Sequence, residues 1–318
     1  MSNGVGLVLA GGGGKGAYHI GVWKALKQFG IDNNIIGVSG TSVGALNSVL
    51  FAQGNYQIAE MVWRSISTDK ILKVDIKKVL IGLLGAGLIK GEMAILNVIF
   101  SEFYSNGVFS REGLLEIIDT NINLDYVSNS SLDIFATAYN ISTLNVEYFK
   151  VNNSDNEKIK KILLASSALP LIFDKEEIEG RYYIDGGIKD NVPIKPLYDN
   201  GVRNFIVVHL GRASIVSKEQ FKNANIIEIV PSKPQGDLMT GTLDFSQEGV
   251  ERRIKQGYED TVKILKPLYK MGMVQAKTGM ILEQFREEEL NFIKQRKEIL
   301  DERDKIKDEL NQFFKARR

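Results

Sequence analysis

The chain contains no cysteine and only two histidines, His19 and His209. The first absence excludes disulfides, thiolate metal sites and a cysteine nucleophile. The second excludes a histidine-rich metal centre, so no metal and no cofactor is expected. An excess of charge is missing too. The 40 basic and 39 acidic residues leave a net charge of +1, which gives no electrostatic footprint for nucleic acid. There is no long hydrophobic run. The longest, Val79–Ile89, is broken by Gly82, Gly85 and Gly87 and falls well short of the ~20 residues that cross a bilayer. Met1-Ser2-Asn3-Gly4 leads straight into a strand-like run without a basic n-region or cleavage site, so no signal peptide is expected. The expected location is cytoplasmic, with peripheral membrane contact as an extension.

What is present is a short motif in a telling place. Ile35-Ile36-Gly37-Val38-Ser39 reads as a buried strand. Gly40-Thr41-Ser42-Val43-Gly44 is a tight turn, and Ala45, Leu46, Val49 and Leu50 have the spacing of a helix. Gly-x-Ser-x-Gly between a strand and a helix is the context of a nucleophile elbow. The turn holds the serine in a strained backbone, so its neighbours must lack bulk. The helix points its first N–H groups at any negative charge that forms beside the hydroxyl. A glycine-rich turn without catalytic meaning is the competing reading of this motif taken alone.

Val5 to Ala10 reads as the first strand, followed by Gly11-Gly12-Gly13-Gly14-Lys15-Gly16 and a helix from Ala17 to Phe29. Strand, glycine loop, helix, strand, elbow, helix is a βαβα opening and predicts a parallel sheet flanked by helices. The loop has three readings. Gly11, Gly13 and Gly16 match a dinucleotide fingerprint, but the nearby acid, Asp32, falls in a loop. A phosphate-binding Walker loop fails, because Gly16 stands where Ser or Thr should bind magnesium. The third is an oxyanion hole, in which backbone N–H groups of residues 11–14 converge on one oxygen and Lys15 adds positive potential.

The middle of the chain is helical by pattern. Ile58–Ile66 and Gly113–Asp119 read as helices, the second capped by Ser110. The apolar segment 74–103, interrupted by glycines, is read as a lid, a membrane-contacting flap or a loosely packed helical cap. Leu132–Ala138 and Val146–Val151 predict a strand pair, Lys158–Ser166 a helix and Tyr182–Ile184 a short strand ending in Asp185-Gly186-Gly187. Pro193 and Pro196 open the next helix, and Phe205–Leu210 and Ile226–Val230 are further strands. A helical pattern runs from Ser246 to Lys266. From Glu283 to Arg318 there are ten acidic and ten basic residues among 36, with Phe292, Ile299, Ile306 and Phe313 every seven positions. Arg296 and Arg303 break the intermediate seam. This tail is a mixed-charge helix that lies along the domain, dimerises or protrudes.

A serine hydroxyl needs a base. His19 lies just past the glycine loop on a helix, where a packing role suffices. His209 follows Ser42 and Asp185 in the chain order of α/β-hydrolases, yet its neighbours Val207, Val208 and Leu210 look like sheet interior. Asp185 follows a strand directly, and Gly186-Gly187 lets its carboxylate aim at a neighbouring strand end. A carboxylate acting directly as base needs only hydrogen-bond reach and a desolvated site.

Taken together, the blocks resemble the patatin-like phospholipase family. Gly11–Gly16 with Lys15 resembles its oxyanion motif, and Gly40-Thr41-Ser42-Val43-Gly44 its elbow. Ala165-Ser166-Ser167-Ala168-Leu169-Pro170 resembles a further family block. Asp185-Gly186-Gly187, continuing to Asn191 and Pro193, resembles its catalytic aspartate motif. The resemblance implies a three-layer α/β/α sandwich with a mainly parallel sheet. It implies a Ser42–Asp185 dyad without histidine, an oxyanion hole at Gly11–Gly14, and hydrolysis of acyl esters in phospholipids or other lipids. The expected organisation is a catalytic domain over residues 5–200, the remainder of the core over 201–270 and a charged helical tail over 274–318, a candidate for homo-oligomer contact. Two alternatives stay open: a ligand-regulated effector or scaffold with low basal hydrolysis, and a dinucleotide-binding oxidoreductase.

Overall fold

A computed structural model describes residues 4–71, 112–170, 172–212 and 216–315. The strands are β1 (Val5–Leu9), β2 (Ile35–Thr41), β3 (Asp133–Asn140), β4 (Asn145–Lys150), β5 (Glu176–Ile178), β6 (Arg181–Asp185), β7 (Asn204–Val208) and β8 (Asn225–Ile229). They form one sheet in the order β5-β6-β3-β2-β1-β7-β8, with β4 also paired to β3. β3, β2, β1, β7 and β8 run parallel. β4, β5 and β6 are added antiparallel. The parallel strands are the continuous apolar runs of the sequence, as expected where both faces of a sheet are covered.

Alternation along β1 shows the two covers. Leu7 and Leu9 face His19, Ile20, Trp23 and Phe51, from α1 (Ala17–Gln28) and α2 (Val43–Ala52). Val8 packs in the opposite core with Phe135, Ile194, Leu197, Val202, Phe205 and Val207, under α8 (Lys195–Asp199). This is the three-layer α/β/α sandwich. Between α2 and β3 lie α3 (Tyr56–Ser65), α4 (Thr68–Ile71), α5 (Glu112–Asn121) and α6 (Leu124–Ser128), and α7 (Asn156–Ser166) precedes β5. Short polar side chains start several of these helices. Asn55 accepts from the N–H of Ile58 at 3.1 Å, and Asp155 from that of Lys158 at 2.8 Å. The lid-or-cap reading of 74–103 and the Ser110 cap lie outside the described residues.

The last helix, α9, runs from Gln247 to Lys315, which corrects the expected break near Lys266. Pro267 costs the helix one N–H donor. The carbonyl it deprives belongs to Lys263, an exposed residue, so water can take the donor's place. The chain divides into two units, Met1–Ile264 and Leu265–Arg318. In the first, α9 crosses α1 closely. A Cβ on Gly21 would collide with the Ile254 carbonyl, and one on Gly257 with the Tyr18 carbonyl. The Tyr18 hydroxyl donates to Asp260 at 3.1 Å. In the second unit, Met271, Val274, Met280, Leu282, Phe285, Phe292 and Ile299 are exposed. No helix among the described residues is long and apolar enough to cross a membrane.

Candidate active site

Three loops meet at the carboxyl edge of the sheet, where open α/β sheets bind their ligands. Ser42 stands between β2 and α2 with φ 57° and ψ −126°, a left-handed conformation that costs a non-glycine residue of order 1–3 kcal/mol. Its neighbours explain how the turn survives. A Cβ on Gly40 would strike the backbone of Gly44, and one on Gly44 the carbonyl of Leu9. The serine N–H is held by the Ser166 hydroxyl at 3.0 Å, which itself donates to the Thr137 carbonyl at 2.7 Å. Ser166 lies in a block visible in the sequence, but nothing there revealed this contact.

Strand register brings Asp185 to the serine across 143 positions of chain. Thr41, the last residue of β2, pairs with Thr137 of β3. Asp185, the last of β6, pairs with the next residue, Ala138. β4 occupies the other edge of β3 from Phe135 to Asn140, so β6 takes up the edge that β2 leaves at Thr41. The Ser42 side chain is near enough to the Asp185 carboxyl to pull its pKa down. The Gly187 N–H donates to that carboxylate at 2.7 Å. Asp185 is 3% exposed. Burial pushes its carboxyl up to about 6, against the opposing pull of the Ser42 side chain and the Gly187 N–H. Gly186 lets the turn lie against the Thr137 carbonyl.

The glycine loop follows β1, beside the elbow. A Cβ on Gly11 would lie 3.1 Å from the Cβ of Ser42. The Gly11 N–H is spent on the Asn191 carbonyl at 3.2 Å, and the Asn191 amide returns a bond to the Gly11 carbonyl at 3.2 Å. Gly11 is therefore not a free donor, a correction to the expected set Gly11–Gly14. No bond to another described residue engages the N–H groups of Gly12, Gly13 and Gly14, which open the helical turn Gly13–Gly16. Gly13 has φ 54°. Lys15 packs against Gly241, and Gly16 against Val43 and Trp63. The segment after Asp185 is stitched to β2, with Ser39 donating to the Pro193 carbonyl at 2.6 Å and Thr41 to the Asp190 carbonyl at 2.9 Å.

The hydrogen bonds of the two histidines go to residues other than Ser42. His19 is buried and its imidazole is pushed down to about 3 by that burial. Its Nδ1 accepts from Asn47 at 3.0 Å. Asn47 also donates to the Gly16 carbonyl and accepts from Trp63, so the cluster braces the end of the glycine loop. His209 lies beyond β7, on the far side of β1 from β2. Its Nε2 meets Glu228 at 3.0 Å. Burial holds its imidazole low, opposed by Glu228. Asp32 sits in a turn that leads into β2, at the amino edge of the sheet. A ribose-binding acid belongs at the carboxyl end of that strand, so the dinucleotide reading loses its second element. Among the described residues no cluster of three His, Asp or Glu could hold a metal ion.

Known proteins bear on this arrangement. Residues 7–198 match the family model for patatin-like phospholipase. Lysophospholipase NTE1 of Cryptococcus neoformans var. neoformans is 27% identical over 219 residues, which cover 68% of this chain and 12% of that protein. The chain thus spans about an eighth of the length of such relatives. The probable lipid hydrolase 463L of Invertebrate iridescent virus 6 is 26% identical over 198 residues, covering 59% of this chain and 61% of that one. The crystal structure of VipD from Legionella pneumophila aligns with a TM-score of 0.49 at 16% identity, over 83% of this chain and 67% of that one, a likeness that adds nothing to the assignment. With the family model spanning well over half of its residues, the chain belongs to the patatin-like phospholipase family.

Proposed function

We propose that the chain is a serine acyl hydrolase acting on carboxylic esters of lipids, with Ser42 as nucleophile and Asp185 as its only base. One observation carries the reading: strand register sets Asp185 beside the Ser42 turn, as a buried carboxyl whose pKa is raised to about 6 and on which the Ser42 side chain acts. That value suits a group that must take a proton and return it near neutrality. Lipid as the substrate class is supported by the family and by relatives named lysophospholipase and probable lipid hydrolase.

The steps balance without another group. Ser42 Oγ attacks the ester carbonyl as its proton passes to Asp185. The tetrahedral oxyanion is met by the N–H groups of Gly12, Gly13 and Gly14, assisted by Lys15 and by the N-terminal end of α2. Collapse expels the alcohol, which takes the proton from Asp185 and leaves an acyl-serine. Asp185 then removes a proton from water, the hydroxide attacks the acyl carbonyl, and Ser42 regains its proton as the fatty acid departs. Gly40, Gly44, Gly186 and Gly187 shape the two turns. We assign catalysis to residues 5–200, with 201–270 completing the core and 274–318 as a tail. A cytoplasmic enzyme meeting lipid at a membrane surface fits this chemistry.

The test is labelling with a fluorophosphonate, alongside hydrolysis of p-nitrophenyl butyrate and of lysophospholipid, for wild type and Ser42→Ala. Labelling and turnover present in wild type and lost in the variant are expected. Labelling without lipid turnover would favour the effector that awaits a ligand. A folded wild type with neither signal would sink the hydrolase reading.

A further inference from the structure

The chemistry proposed above leaves a buried guanidinium unused. Arg253, on the first turns of α9, is 1% exposed, and a guanidinium does not lose its charge by burial. It donates to the Asp244 carboxylate at 2.8 Å, to the Asp244 carbonyl at 2.9 Å and to the Thr240 carbonyl at 2.9 Å. Gly249 makes room for it, since a Cβ there would press on both Arg253 and Asp244. The three bonds fix the segment 240–244 as one piece. That segment is the floor under the glycine loop. A Cβ on Gly13 would collide with the Thr242 carbonyl, and one on Gly14 with the Asp244 carbonyl. The hydrogens in those places therefore point at carbonyl oxygens, a weak but directional contact. The Asp244 carbonyl meets Arg253 on one side and Gly14 on the other.

We infer that Arg253 is a positioning residue for the oxyanion loop: through the Thr240–Asp244 segment it sets where the N–H groups of Gly13 and Gly14 point. The inference rests on the hydrolase reading for its catalytic consequence, but its mechanical content does not. An oxyanion donor must sit where charge develops, and a loop built from glycines cannot hold that geometry by its own side chains. Two floor carbonyls supply what the loop lacks, and one guanidinium fixes both ends of the segment that carries them. A lysine presents a compact ammonium without the planar fork and cannot reproduce the three bonds at once.

The experiment uses the full chain with Arg253→Lys and Asp244→Asn, and Arg253→Met as the severe variant. Active sites are first counted by fluorophosphonate titration. Then kcat and KM for p-nitrophenyl butyrate are measured per titrated site, with the inhibition constant of an alkyl trifluoromethyl ketone, whose hydrated or serine-bound oxyanion occupies the hole. The expected result is a fall in kcat of roughly 10-fold to 100-fold, within the range seen when an oxyanion donor is lost, with KM within twofold and ketone affinity weakened by the same factor as kcat/KM. Hydrogen exchange is followed in parallel. The Lys15 amide, which donates to the Gly12 carbonyl, should exchange at least tenfold faster while β1 and β2 keep their protection. Fewer titrated sites with normal kcat per site would reduce Arg253 to a fold-stabilising residue and overturn the inference. Unchanged exchange at the Lys15 amide would overturn it as well, even if Arg253→Met fails to fold, because Arg253→Lys and Asp244→Asn carry the same readout. Faster loop exchange in a wild-type background that never labels would sink the hydrolase reading and leave the mechanical role standing.

Discussion

Burying Asp185 has a cost that its function explains. A carboxyl lifted from 3.8 to about 6 corresponds to about 3 kcal/mol by the usual conversion of pKa to free energy. The sign is set by which state binds the proton more tightly. The folded state does, so the protonated carboxyl favours folding at low pH, and that contribution is lost as pH rises from about 4 through 6. At neutral pH the ionised group is a liability to the fold and an asset to the reaction. Asp185→Asn should therefore lose essentially all turnover while its Tm at pH 8 rises above wild type, with the gain vanishing near pH 4. A pH series of melting curves reads this directly. In wild type, kcat/KM should climb through an apparent pKa near 6 and then level off. His209→Gln should leave that profile and kcat within about twofold. A loss comparable to Ser42→Ala would restore a conventional triad. The sequence already offered Ser42, Asp185 and His209 as candidates. It favoured Asp185, through its turn and the family resemblance, but did not show where each lies relative to β2, because strand order is not written in local pattern.

At the scale of elements, the elbow is a contact between backbones. Gly44 lets the start of α2 approach the end of β1, where the carbonyl of Leu9 lies in the way of any side chain. Gly44→Ala should destabilise by more than the ~1 kcal/mol that a helix would gain from alanine, seen as a lowered denaturation midpoint and loss of fluorophosphonate labelling. Ser166→Ala is a milder case. It removes the acceptor of the Ser42 N–H and a donor to Thr137. The expected cost is about 1–3 kcal/mol, with a fall in kcat and little change in KM. The glycine spacing of the elbow was legible because a tight turn excludes side chains wherever it occurs. The work of Ser166, Asn191 and Arg253 was not, because each acts on a partner 124, 180 and 9 positions away, respectively. The small residues Gly21 and Gly257, where α1 and α9 touch, gave no sequence signal either.

The whole molecule divides into a unit that holds every strand among the described residues and a helical unit of mixed charge with many exposed apolar side chains. Exposed apolar residues contribute little to folding. Phe292→Ser and Ile299→Ser should leave the denaturation midpoint of the first unit unchanged, with effects within about 0.5 kcal/mol. Sedimentation of the same variants tests whether the tail joins copies of the chain: a wild-type dimer that becomes monomeric would assign that role. By itself the sequence determined most of the strands and helices, though not β5, α6 or the full length of α9, and that a serine would stand strained between one of each, because periodicity and glycine placement act within a turn or two of chain. It also supplied the family, through four blocks in fixed order. Only the tertiary structure decided that β6 runs antiparallel into the edge vacated by β2, that Gly11 spends its N–H on Asn191, and that a distant arginine underlies the glycine loop. Those are pairings between segments far apart, and they follow from how sheet register and close packing bring the segments together.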